Sequence, residues 1–236
     1  MTKTTTSSEA TRRDPLLSAS LICANPLNVG QDLDELIEAR IDSIHFDVMD
    51  GKFVPRYGLY TELLAALRSK TNLVCDVHMM VENPQDYIAE FGKAGATYFS
   101  FHIETTQHAN LLISRIREAG MRPGVAINPG TPLSLLSDII TDIDILVLMA
   151  INPGIVGHKI IPSTYRRIQE ARQLAQDRGR EDLLIQIDGG VTFETGNKMT
   201  AAGANMLVCG TGTIFRKHEG TIKNKIHQFR SQLSQA

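Results

Sequence analysis

Residues 93–99 read KAGATYF and residues 201–207 read AAGANML. Each phrase runs from the end of a helical stretch through a glycine and two small or polar residues into a short apolar run. Gly95 and Gly203 stand where a helix stops, the place of a left-handed C-terminal cap, and Gly120 closes a third helical stretch in the same way. The two phrases read as one helix-to-strand join used twice. A chain that repeats that join is built of βα units.

Outward from these joins the alternation continues along the chain. Short apolar runs that read as buried strands, LSASLIC, SIHFDV, LVCDVHM, YFSFHI, PGVAIN, DILVLMA, LLIQID and MLVCG, begin at residues 17, 43, 73, 98, 123, 144, 183 and 206. Between them QDLDELIEAR, LYTELLAALRSK, PQDYIAEFGKAG, HANLLISRIREAG, PLSLLSDII, STYRRIQEARQLAQDRG, TFETGNKMTAAG and GTIKNKIHQFRSQL space their apolar residues as helices do. Eight strand–helix units at intervals of about 25–30 residues predict an α/β fold, a single (β/α)8 TIM barrel with a parallel eight-stranded core. The rival is an open doubly wound sheet, which the absence of a GxGxxG after the first strand disfavours. No linker interrupts the units, so one barrel domain is expected over residues 15–236. Residues 1–14, MTKTTTSSEATRRD, are expected to form a disordered Ser/Thr-rich tail.

Composition narrows the function classes. Of 236 residues, 24 are basic and 26 acidic, for a net charge of −2, and no Lys/Arg block predicts binding to nucleic acid or an anionic membrane. The apolar run DILVLMAI is too short to span a bilayer, and the N-terminus lacks the apolar core of a secretory signal. Cys23, Cys75 and Cys209 are odd in number and widely spaced, and read as small buried hydrophobes. A reducing, cytoplasmic setting and a homo-oligomer are expected.

In a barrel of this kind function resides at the C-terminal ends of the strands. Residues 45–51, HFDVMDG, put His45, Asp47 and Met49 on one face of strand 2, because alternate side chains share a face. Strand 3 offers Asp76, His78 and Met80, strand 4 ends with His102 and Glu104, strand 6 brings Met149, and strand 7 ends at Asp188. Histidines and aspartates of strands 2, 3 and 7 thus converge on one mouth. Buried carboxylates that face each other are costly unless paired, and a central divalent cation, one of Zn, Fe, Mn or Co, resolves the conflict. The competing reading, ordinary hydrogen bonding of core histidines, accounts for one such residue but poorly for four. The methionines, each a plain gap-filler alone, together form an apolar lining beside the polar set. NPGIVGHK (152–159), DGG (188–190) and GTGT (210–213) follow the last three strands. Backbone N–H groups in such loops bind phosphate in many barrels, so a small phosphorylated metabolite is expected as the ligand.

These residues resemble the ribulose-phosphate 3-epimerase family over nearly the whole chain after the tail. The resemblance is carried by HFDVMDGKFVP, DVHMMVENP, FHIET, INPGTP, MAINPG, IDGGV and GTGTIF. It implies that His45, Asp47, His78 and Asp188 are metal ligands and that Asp47 and Asp188 are also the acid–base pair. It implies substrate contacts from Ser20, His78, Met49, Met80 and Met149, and phosphate contacts from Gly154, Gly157, Gly189, Gly190, Gly210 and Thr211. The activity implied is 3-epimerisation of a phosphorylated ketose, D-ribulose 5-phosphate to D-xylulose 5-phosphate, with D-allulose 6-phosphate as the alternative substrate. Val156, His158, Arg56, Tyr57 and Asn25 depart from the family's usual residues, all where the distal part of the substrate is expected. Met49 stands where a related decarboxylase branch carries a lysine, which also disfavours a Schiff-base aldolase. A catalytically inactive phosphosugar-binding barrel is a further alternative, which the presence of all four ligands disfavours.

Overall fold

A computed structural model describes residues 14–155, 157, 159–216 and 220–234. Eight strands, β1 Leu16–Ser20, β2 Ser43–Met49, β3 Val74–Met80, β4 Tyr98–His102, β5 Arg122–Ile127, β6 Ile145–Met149, β7 Leu184–Asp188 and β8 Met206–Cys209, pair in parallel. They form a closed barrel in chain order, with β8 returning to β1. Among the described residues seven α-helices surround it: α1 Val29–Glu38, α2 Thr61–Lys70, α3 Ile88–Ala94, α4 Ala109–Glu118, α5 Thr164–Asp177, α6 Phe193–Ala201 and α7 Ile222–Ser234. The expected strands are all present. Most of the expected tail, residues 1–13, lies outside the described residues. Among them, no helix is long and apolar enough to cross a membrane.

The repeated join has a shared physical basis. Gly95 and Gly203 take φ values of +92° and +115°, left-handed backbone that glycine adopts without steric cost. A Cβ on either would lie 2.9–3.0 Å from the side chain of Arg68 or Arg172. Those arginines, from the preceding helices α2 and α5, donate to the carbonyls of Gly95 (2.8 Å) and Gly203 (3.0 Å). Two residues on, Thr97 Oγ1 accepts from the Cys75 N–H of β3, and Asn205 Oδ1 accepts from the Ile185 N–H of β7. Each join therefore locks a helix end and the strand it feeds to the previous strand. The first unit does the same without a glycine. Arg40 adopts φ 54°, Arg230 donates to its carbonyl, and Asp42 Oδ2 accepts from the Leu17 N–H of β1.

One expected element differs. PLSLLSDII (132–140) is not an α-helix but two 3-10 turns, Leu133–Leu136 and Ile140–Asp142. The N–H groups of Leu135, Ser137, Ile139 and Asp142 each bond the carbonyl three residues back, so the stretch tightens into 3-10 turns. The two turns suffice to bury Leu136 and Ile140 against the sheet.

Apolar faces of the helices cover the outside of the barrel in one large core. The interior is divided. Tyr98, Ala126, Ile145, Val147, Met149 and Met206 form an apolar cluster on the side of β4, β5, β6 and β8. The opposite side is polar: Ser18, Ser20, His45, Asp47, Asp76, His78, Ser100, His102 and Gln186 are all buried. A polar half-interior is costly to fold unless its groups satisfy one another, and their partners define the site.

Candidate metal centre and active site

Strand register assembles the cluster. His45 stands beside Ser20 of β1 and Asp76 of β3, Asp47 stands beside His78, and Met49 stands beside Met80. On the far side of the barrel Asp188 stands beside Met149. Nε2 of His45 lies 3.2 Å from Oδ1 of Asp47 and 3.7 Å from Oδ2 of Asp188. Nδ1 of His78 lies 3.7 Å and 3.3 Å from the same two oxygens. All four expected ligand atoms fall within 4.8 Å of one another.

These distances fit an ion. Four ligand atoms held about 2.0–2.1 Å from a tetrahedral centre lie about 3.4 Å apart. Nε2 of His45 and Nδ1 of His78 are fully buried and make no hydrogen bond, although both aim into the cluster. Two orphaned imidazole nitrogens and two carboxylates form a donor set suited to a first-row divalent metal. The His/Asp cluster can therefore hold a metal ion.

The electrostatics agree. Burial opposes a charge on His45, but the carboxylates of Asp76 and Asp47 outweigh it and raise its pKa well above the usual imidazole value. His78 is likewise raised, with burial opposed by Asp188 and Asp47. Burial opposes ionisation of Asp47 and Asp188, yet the two imidazoles hold both pKa values below the ordinary carboxylate range. Two carboxylate charges within 4.8 Å repel by about 3–4 kcal/mol at an effective dielectric of about 20, so a positive charge between them is needed.

A second tier of groups, not assigned from the sequence, orients the first. Asp76 accepts a hydrogen bond from Nδ1 of His45, which leaves Nε2 facing the cluster. Ser18 Oγ (2.6 Å) and Gln186 Nε2 (2.9 Å) donate to the other oxygen of Asp76. Nε2 of His78 meets Nε2 of His102 at 2.9 Å, and Nδ1 of His102 meets Glu104 at 3.2 Å. Burial lowers the pKa of His102 to about 4, against the pull of Glu104, so its ring is neutral. The same alternation that revealed His45 and Asp47 places Asp76, two residues before His78, on the interior face. The role of Asp76 became visible only through its register with His45.

Above the cluster opens a cavity of about 270 Å³. Ser20, Asp47, Met49, Met80, Met149 and Asp188 line its floor, and Gly154, Gly157, Gly189, Gly190, Gly210 and Thr211 line its wall. Every expected site residue except the buried His45 and His78 thus faces one space. Ser20 also donates to Oδ2 of Asp47 (2.9 Å), which fixes the carboxylate that points into the cluster. Gly189 has φ +89°, and a Cβ there would lie 2.3 Å from Cγ1 of Ile151. Only glycine fits that position. Of the departing residues, Val156 and His158 lie outside the described residues. Tyr57 is exposed and packs over Gly51, whereas Arg56 lines the cavity. Arg56 is the cavity's only cationic side chain among the described residues, and no described carboxylate pairs with it.

A closed (β/α)8 barrel with a metal-capable His/Asp cluster under a glycine-walled cavity defines the class: a barrel enzyme whose site lies at the C-terminal ends of its strands. The model of the "Ribulose-phosphate 3 epimerase family" matches residues 16–215. A ribulose-phosphate 3-epimerase of Bacillus subtilis (strain 168) is 40% identical over 83% of this chain and 90% of its own. One of Escherichia coli (strain K12) is 34% identical over 93% of this chain and 96% of its own. Among solved structures, KGPDC from Streptococcus mutans superposes with a TM-score of 0.69 at 10% identity, covering 94% of this chain and 99% of that one, a likeness of fold alone. The chain belongs to the ribulose-phosphate 3-epimerase family, and it is an isomerase of the epimerase type.

Proposed function

We propose that the protein epimerises D-ribulose 5-phosphate and D-xylulose 5-phosphate at C3 by two-aspartate proton transfer, with one divalent ion (Zn, Fe, Mn or Co) held by His45, Asp47, His78 and Asp188. The observation that carries the reading is the placement of Asp47 and Asp188. They come from β2 and β7, share one pair of imidazoles, and both line the cavity floor. A substrate seated between them can lose its C3 proton to one carboxylate, and the planar intermediate that results can gain a proton from the other on its opposite face.

The steps follow from the chain's own groups. One aspartate removes the C3 proton, giving a cis-enediolate, and the other delivers a proton to the opposite face of C3. Proton transfers of this kind contribute roughly 10²–10⁴-fold each. Ser20, through its bond to Oδ2 of Asp47, aims that carboxylate. When bound, the divalent ion supplies Lewis-acid stabilisation for the oxyanion that develops as the proton leaves. Met49, Met80 and Met149 cover the reacting carbons with side chains that donate no proton, and they keep bulk water away.

The glycine wall receives the phosphate. The loops at Gly154, Gly157, Gly189, Gly190, Gly210 and Thr211 offer backbone N–H groups, and the guanidinium of Arg56 adds a charge that completes an anion site. Relatives at 33–40% identity carry the name ribulose-phosphate or ribulose-5-phosphate 3-epimerase, which favours the pentose over D-allulose 6-phosphate. Turnover of the two substrates side by side tests the choice. A kcat/KM at least tenfold higher for D-ribulose 5-phosphate is expected, and the reverse order would assign the hexose phosphate.

A further inference from the structure

We infer that His102 and Glu104 are positioning residues that fix the tautomer of His78, and with it the protein's grip on the ion. The inference rests on the metal reading above. If Nδ1 of His78 is a ligand, it must present a lone pair, so the ring proton is on Nε2. That N–H points at Nε2 of His102, 2.9 Å away. The ring planes are 22° from parallel with centroids 5.0 Å apart, so the rings meet edge to edge. Nε2 of His102 must then accept, which puts the proton of His102 on Nδ1, where Oε2 of Glu104 accepts it at 3.2 Å. Only an acceptor at that end allows the chain to run in this direction.

Glu104 is held as an acceptor from its other side too. Its Oε1 receives the Asn128 N–H (2.8 Å) and the Thr131 hydroxyl (2.5 Å). Arg167 of α5 in turn donates to the carbonyls of Thr131 (2.9 Å) and Asn128 (3.1 Å), which holds that loop in place. Phe53 packs on the ring of His102 at 4.6 Å between centroids. The relay Glu104–His102–His78 therefore mirrors the direct Asp76–His45 bond on the neighbouring ligand. One imidazole is oriented by a carboxylate, and the other by a carboxylate acting through a second ring. Such outer groups set ligand orientation and basicity.

The relay makes a sharp demand on an isosteric change. In Glu104→Gln the Asn128 N–H still needs an acceptor, so the amide oxygen stays on that side and the NH₂ turns to Nδ1 of His102. The proton of His102 then moves to Nε2, which faces Nε2 of His78 and drives the proton of His78 onto Nδ1, the ligand atom. A change that keeps shape and volume thus reverses the whole chain.

The test uses ¹H–¹⁵N correlation spectra of the imidazoles of the zinc-loaded full chain, together with zinc affinity by chelator competition. In the wild type, His102 is expected to carry its proton on Nδ1 and to accept at Nε2. Glu104→Gln is expected to lose roughly 10–100-fold in zinc affinity, with unchanged circular dichroism of the metal-free protein. His102→Gln, which can still offer an acceptor to His78, is expected to lose less than Glu104→Gln. A wild-type His102 protonated on Nε2, or a Glu104→Gln variant with wild-type zinc affinity, would overturn the relay alone. Failure of the wild type to take up zinc or any other divalent ion would overturn the relay and the metal reading together.

Discussion

Asp47 and His78 are register partners on adjacent strands, and Oδ1 of Asp47 lies 3.7 Å from Nδ1 of His78. Asp188, from the other side of the barrel, lies 3.3 Å from the same nitrogen. His78 therefore touches both carboxylates proposed to handle the C3 proton, and changes to the cluster should separate metal binding from chemistry in predictable ways.

Removing the ion should leave a folded but inactive protein, and affinity for the ion should fall as pH falls. His45 and His78 have raised pKa values in the metal-free cluster, so protons occupy the nitrogens that a metal must displace. The stability that protonation gives to the metal-free protein is present below about pH 6.5 and is lost as pH rises through the folded values. The metal-loaded form does not depend on it. The gap in Tm between zinc-loaded and EDTA-treated protein should widen from pH 6 to pH 9, and zinc binding near pH 6.5 should release protons, read as a buffer-dependent enthalpy in calorimetry. A gap that narrows with pH would contradict the cluster's assignment.

Substituting Asp188→Asn should lower kcat by about 10²–10⁴-fold, because an amide cannot accept the proton. Asp188 is the more exposed of the two carboxylates, with 15% of its side chain accessible against 7% for Asp47. Asp47 also holds the Ser20 hydroxyl. Asp47→Asn should therefore lose both rate and metal retention, measured as bound metal per chain after dialysis.

Gly189→Ala should destabilise the protein by at least ~1–3 kcal/mol, the cost of holding a non-glycine residue in a poorly populated conformation. The new methyl must also displace Ile151, whose Cγ1 lies 2.3 Å from its position. Chemical denaturation would measure the loss. A raised KM with little change in metal content should accompany it, because Gly189 lines the cavity wall rather than the cluster.

Arg56→Ala should raise KM about tenfold for the phosphorylated substrate, roughly 1.4 kcal/mol, with kcat nearly unchanged. The guanidinium lines the cavity without a described carboxylate partner. Inorganic phosphate should inhibit the variant more weakly than the wild type. Equal inhibition would place Arg56 outside the anion site.

The fold was legible because its signal is repeated. The helix–glycine–strand joins at 93–99 and 201–207 recur because each performs the same task, a left-handed cap braced by an arginine from the preceding helix and hooked to the previous strand. PLSLLSDII has helical spacing but forms two 3-10 turns, because its backbone bonds close on the carbonyl three residues back, which apolar spacing does not reveal. The four cluster residues were legible from their places on strands 2, 3 and 7 taken together with the resemblance to the family. Asp76, Gln186 and the His102–Glu104 pair were not assigned, because their roles depend on which strands become neighbours and in what register. His45 meets Asp76 only because β2 and β3 pair without a stagger at that level. Arg56 was visible as a departure from the family's usual residue, but only the closed barrel brings its loop over the cavity, where Val54 packs against Gly154.

The most direct test of the two-aspartate account is proton NMR of D-ribulose 5-phosphate in D₂O with metal-loaded enzyme. The account predicts deuterium at C3 of both epimers, appearance of D-xylulose 5-phosphate, and loss of epimer formation in Asp188→Asn. Epimer formed without deuterium at C3, or epimer formation that persists at the wild-type rate in Asp188→Asn, would contradict it.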